Sequence, residues 1–102
     1  MGEFVKIGKT SEIEDQCAKC VEVEGRNIAV FNLGGEFYAI DDACTHEEGP
    51  ISEGYVEGEE VECPWHAARF NIKTGKVLCD PAYEDAATYK VRVNGDDVEV
   101  EV

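Results

Sequence analysis

Both histidines of this 102-residue chain stand beside a cysteine, in Cys44-Thr45-His46 and, sixteen residues later (47–62 intervening), in Cys63-Pro64-Trp65-His66. Thiolate and neutral imidazole are donors for soft and borderline metals, and two of each would suit tetrahedral zinc or an iron–sulfur cluster. The order along the chain favours the second. Zinc fingers group thiols with thiols and imidazoles with imidazoles, whereas here each segment offers one of each. Pairing like with like draws on both segments, which suits a two-metal cluster with both thiolates on one metal and both imidazoles on the other. Cys44, His46, Cys63 and His66 are therefore the candidate ligands.

The remaining thiols make a weaker case. Cys17-Ala18-Lys19-Cys20 has the form of a Cys-x-x-Cys motif but falls in a stretch that reads as a strand. On a strand, positions i and i+3 point to opposite faces, so these two thiols cannot share one metal. Cys79 reads as a semi-buried residue following a strand. Five cysteines, an odd number, fit a reducing compartment better than a disulfide framework.

The elements that must position the ligands read almost entirely with period two. Strands are expected at 4–7, 17–23, 27–31 and 37–40, with Gly25-Arg26 and Asn32-Leu33-Gly34-Gly35 as turns and one capped helical turn at 10–14. The pattern then stops. Residues 41–58, with Gly49-Pro50, Gly54 and Gly58, read as a long loop, and a loop of that length in a compact domain needs an organising ligand or a function. A short strand at 59–62 leads into the second ligand segment. Hairpins follow at 70–72 with 76–78, across Lys73-Thr74-Gly75, and at 89–93 with 98–102, around an irregular crossing at 79–87. About nine short strands with frequent turns predict an all-β sandwich or barrel in a single domain, 1–102.

Net charge is −14, and the span 27–68 contains no Lys or Arg while carrying Glu36, Asp41, Asp42, Glu47, Glu48, Glu53, Glu57, Glu59, Glu60 and Glu62. This excludes nucleic acid and anionic membrane as expected partners. Two readings of the acidic span stand side by side: a solvated surface that keeps the protein soluble, and a face that steers towards a basic patch on a partner protein. No apolar run reaches the eighteen or so residues of a spanning helix, and Met1-Gly2-Glu3-Phe4 opens no signal peptide, so a cytoplasmic protein is expected.

Cys44-Thr45-His46, Gly49-Pro50, Ser52-Glu53-Gly54, Val61, Cys63-Pro64-Trp65-His66, Phe70, Thr74-Gly75 and Pro81 together resemble the pattern of Rieske-type [2Fe–2S] ferredoxins over nearly the whole chain. The resemblance implies a Rieske-like antiparallel β-sandwich with a small cluster-binding subdomain at about 41–82. It implies one Rieske-type [2Fe–2S] cluster, with Cys44 and Cys63 on an inner iron and His46 and His66 on an outer iron near the surface. It also implies a one-electron carrier, itself no enzyme, working as a monomer between a flavoprotein NAD(P)H reductase and a terminal oxygenase of an aromatic-ring dioxygenase system. The alternative is a Rieske small subunit of a nitrite-reductase-like or other multi-subunit oxidoreductase, and a third class is a zinc-stabilised structural module.

Departures from the high-potential members of that family carry information. Those members tie the two ligand loops with a disulfide, at positions that here are Gly49 and Trp65, and place Ser and Tyr hydroxyls where this chain has Ala68 and Phe70. Hydroxyl donors to cluster sulfur stabilise the reduced, more negative state, and neither exists here. Glu47 and Glu48 beside His46 also disfavour an added electron. Each difference points to the low end of the Rieske range of roughly −150 to +300 mV. Trp65 is expected to pack over the cluster, to show an aromatic edge at the docking surface, or to pack in the core. Pro50 and Pro64 are expected to stiffen their loops, and Arg69 to pair with a nearby carboxylate and to have no redox role.

Overall fold

The computed structural model describes residues 3–42, 51–62, 69–79 and 87–101. Eleven strands run through them: β1 (Phe4–Lys9), β2 (Cys17–Val23), β3 (Arg26–Leu33), β4 (Glu36–Asp41), β5 (Tyr55–Glu57), β6 (Glu60–Glu62), β7 (Arg69–Asn71), β8 (Val77–Cys79), β9 (Thr88–Tyr89), β10 (Val91–Asn94) and β11 (Asp97–Glu101). They form three antiparallel sheets, ordered β1-β11-β10, β2-β3-β4-β9 and β5-β6-β7-β8.

β3 explains the stacking. Its four consecutive apolar residues Ile28, Ala29, Val30 and Phe31 are all fully buried. Neighbours on a strand face opposite sides, so a continuous apolar run must be covered on both. Ile28 and Val30 pack with Ile13, Val23, Ala39, Val98 and Val100, joining the central sheet to the β1-β11-β10 sheet. Ala29 and Phe31 pack with Ile40, Ile51, Val61, Phe70 and Ile72, joining it to the small β5–β8 sheet. One residue before the strand's end, Asn32 is buried but satisfied: its Nδ2 donates to the Ile13 carbonyl at 2.8 Å and its Oδ1 accepts from Gly35 N–H at 2.8 Å. Gly34 and Gly35 then turn the chain at φ +67° and +95°, a left-handed pair that glycine adopts without Cβ strain.

Three sequence expectations are corrected. Residues 41–58 are not wholly irregular, because Ile51–Glu53 forms a 3₁₀ turn and Tyr55–Glu57 a strand. That strand is set by pairing, Val56 opposite Val61 and Tyr55 opposite Glu62, over a turn at Gly58 with φ +62°. The stretch 89–93 is not one strand. β9 pairs with β4 and β10 with β11, so the chain passes from one sheet to another at Lys90. The turn at Thr10–Glu12 is 3₁₀ and carries no side-chain cap; Thr10 N–H is met instead by the Asp96 carbonyl at 2.8 Å.

The two-sided burial of β3 predicts a large truncation penalty there. Phe31→Ala should lower stability by about 3–5 kcal/mol, whereas Val93→Ala, at a position 46% exposed, should change it by about 0.5 kcal/mol or less. Urea unfolding of the holoprotein followed by far-ultraviolet circular dichroism measures both.

Candidate metal centre

Cys44, His46, Cys63 and His66 lie in segments 43–50 and 63–68, outside the described residues, as do Glu47, Glu48, Gly49, Pro50, Pro64, Trp65, Ala68 and Pro81. The structure shows how those segments are rooted. The first leaves from Asp42 and returns at Ile51, and the two are joined: Ile51 N–H donates to the Asp42 carbonyl and Ser52 N–H to Asp42 Oδ1, each at 2.6 Å. Asp42 is itself buried and donates its own N–H to the Asn27 carbonyl at 3.0 Å. One residue thus closes the base of the loop through its carbonyl and side chain and ties it to β3 through its own N–H.

The second segment leaves from Glu62 and returns at Arg69, which stand opposite each other in the β6–β7 ladder. The next pair inward, Val61 and Phe70, is fully buried in the core that also holds Ile51. Phe70 is thus a core side chain at the foot of the loop. The two bases also touch. A Cβ added at Gly54, just past the first loop, would overlap the Glu62 carbonyl, the last residue before the second. Only glycine lets these backbones come so close. The residues flanking a third segment, 80–86, pair with the same bases: Cys79 stands opposite Arg69, and the Ala87 carbonyl accepts from Asp41 N–H at 2.9 Å.

Polar contacts extend this base. Tyr89 Oη donates to Asp41 Oδ1 at 2.5 Å, and with Arg26 and Asn27 these residues line a shallow open cleft. Burial, then the Asp41 carboxylate, pushes the Tyr89 phenol above its ordinary pKa, so it remains a donor to Asp41 at neutral pH. Arg69 Nη1 lies 2.9 Å from Glu60 and 3.6 Å from Glu57, and its Nη2 lies 3.3 Å from Glu62. Its expected pairing is therefore with three carboxylates. The hydrogen bond Arg69 donates to Glu60, then the Glu62 and Glu57 charges, raise the Arg69 pKa above its ordinary value.

Among the described residues, no cluster of three or more His, Cys, Asp or Glu side chains is arranged to hold a metal. Cys17 and Cys20 are free and exposed on β2, where Ala18 joins one core and Val21 the other, as alternating faces require. The donor set itself passes the test of fit. Each rooted segment brings one thiol and one imidazole, two donors short of four, so a group held by all four must bridge two loops whose bases abut. Sequence reasoning missed Asp42, Tyr89 and Gly54, whose partners lie on other strands. Only the Ser52-Glu53-Gly54 pattern carried any sign of them.

An antiparallel β-protein whose two donor-bearing segments spring from abutting bases has the framework for a metal centre that bridges both. Residues 3–90 match the Rieske [2Fe–2S] domain, and the chain belongs to that family. Its cofactor is accordingly a Rieske-type [2Fe–2S] cluster. The chain is 54% identical over 76 residues, 74% of its length and 72% of the relative's, to the 3-phenylpropionate/cinnamic acid dioxygenase ferredoxin subunit of Escherichia coli K12. In structure it is similar to the ferredoxin of carbazole 1,9a-dioxygenase from Nocardioides aromaticivorans IC177, with a TM-score of 0.91 and 28% identity over 95% of both chains. It is also similar to a chain in the complex of reduced oxygenase and oxidised ferredoxin of carbazole 1,9a-dioxygenase, with a TM-score of 0.90 and 32% identity over 95% of this chain and 91% of that one.

Cys20 supplies a check on these contacts near the first loop. Although the residue is exposed, desolvation of its thiol, then the adjacent Asp42 carboxylate, pushes that thiol up to about 11. At pH 8 about one molecule in a thousand then carries the thiolate, which is the reactive form. Alkylation of Cys20 by iodoacetamide, followed by peptide mass spectrometry, should keep accelerating with pH until about 11. A rate that levels off near pH 8.5, the range of a free thiol, would contradict the contact with Asp42.

Proposed function

We propose that this protein is a low-potential Rieske ferredoxin that carries single electrons from a flavoprotein NAD(P)H reductase to a terminal oxygenase. Cys44 and Cys63 would hold one iron of the cluster, and His46 and His66 the other, within a cluster-binding subdomain at about 41–82. The observation that carries this reading is the joint rooting of the two donor-bearing segments on one core, through Asp42, Ile51, Gly54, Glu62 and Arg69. The 54% identity to a dioxygenase ferredoxin subunit favours a carrier over a nitrite-reductase-like subunit. The naming of an oxygenase–ferredoxin complex for a structural relative supports the oxygenase as one partner.

When bound, the cluster supplies one-electron redox chemistry. The chain's own residues do the rest. The buried pair Val61 and Phe70 walls one side of the base from water, and Asp42 closes the first loop. Exposed carboxylates, with Glu57 at 64% and Glu59 at 58%, give the small sheet an acidic surface that would draw a cationic partner and weaken with salt. The same charge disfavours self-association, which supports a monomer, and five cysteines, an odd number, with Cys17 and Cys20 free, support a reducing compartment such as the cytoplasm.

Visible absorption, metal analysis and a redox titration of the purified protein test the reading together. The expected result is a coloured protein with two irons per cluster and a potential below about +100 mV at pH 7. A colourless protein holding zinc and no iron, or a potential above that value, would overturn it. Stable co-purification with a large catalytic subunit would overturn the carrier in favour of a subunit.

A further inference from the structure

Arg69 is the first cation after a stretch of 42 residues, 27–68, that contains none and includes both ligand segments. It is also the residue at which the second segment rejoins the sheet, opposite Glu62 where that segment leaves. Its side chain is only 27% exposed, yet the carboxylates it meets come from two other strands: Glu57 from β5, and Glu60 and Glu62 from β6. The next cation, Lys73, is engaged elsewhere, 3.4 Å from Glu59 and over the ring of Tyr38.

An isolated surface ion pair contributes little, because ordering two long side chains offsets most of the Coulomb gain. A guanidinium shared by three carboxylates differs, since the ordering cost of one side chain is spread over several contacts. The Arg69–Glu62 contact spans the mouth of the second loop, so the loop cannot widen at its base without breaking it. The charge acts in a second way. A cation at the base favours the reduced, more negative state of a nearby redox group, against the carboxylates around it.

We infer that Arg69 is a positioning residue for the cluster: its fork across Glu57, Glu60 and Glu62 ties β5, β6 and β7 together at the base of the second ligand segment, and its charge raises the reduction potential. This rests on the Rieske reading above and adds a role for a residue that is no ligand. The fork and the charge are separable, because lysine keeps the charge but cannot span three carboxylates in the same plane.

The test uses the holoprotein and its Arg69→Gln, Arg69→Lys and Glu60→Gln variants at low ionic strength, with two readouts: spectroelectrochemical potential and the rate of iron release to a chelator. Arg69→Gln should lower the reduced-to-oxidised ratio at a fixed potential about threefold to tenfold, tenfold being about 59 mV for one electron. It should also release iron at least about threefold faster, because the base loses its ion pairing. Arg69→Lys should keep the ratio within about twofold while releasing iron faster, because the charge stays and the fork is lost. Glu60→Gln should move the potential upward, and it decides the matter if Arg69→Gln assembles no cluster. A potential unmoved in Arg69→Gln, equal shifts in the Gln and Lys variants, or no rise in Glu60→Gln would overturn the inference. An iron-free wild-type protein would instead overturn the functional reading on which it rests.

Discussion

The burial of β3 on both faces is the constraint from which the architecture follows. Ile28 and Val30 require one covering layer, and Ala29 and Phe31 require another. The β1-β11-β10 sheet supplies the first. The small β5–β8 sheet supplies the second through Val61, Phe70 and Ile72. The small sheet is therefore not a free appendage. Its inner face is part of the core, and the register that buries Val61 opposite Phe70 also sets Glu62 opposite Arg69, where the second ligand segment begins and ends.

The same core fixes the first ligand segment, because Ile51 is buried in it and Asp42 ties Ile51 and Ser52 back to β3. Gly54 lets the two bases meet. The chemistry of the loops thus depends on packing that is not itself redox-active. Charge is arranged on the opposite, outer face of the small sheet, where the pleat puts Glu57, Glu60, Glu62 and Arg69 while Val56, Val61 and Phe70 point inward. A single alternation therefore gives a dry base on one side and a charged surface on the other.

Much of this was legible in the sequence. The four candidate ligands and their family stood out because Cys-x-His and Cys-x-x-His use unusual donors at fixed spacing. The hairpin at Gly34-Gly35 was legible because glycine punctuates the chain there. β5 was missed because three residues between Gly54 and Gly58 show too little periodicity, and only their pairing with β6 makes them a strand. The break between β9 and β10 was missed for a related reason. A run of alternating residues does not reveal that its two halves pair with different sheets. Asp42 read as one acid among many, and Arg69 as a residue with one partner. Their roles come from contacts between strands distant in sequence.

The central claim is that both histidines of the chain, His46 and His66, bind the same redox centre as Cys44 and Cys63. Pulsed EPR of the reduced protein, grown with ¹⁵N-histidine, tests it most directly. Two distinct histidine nitrogen couplings to the reduced cluster are predicted, one disappearing with each histidine replaced. A reduced protein whose cluster shows no coupling to labelled nitrogen would contradict the account.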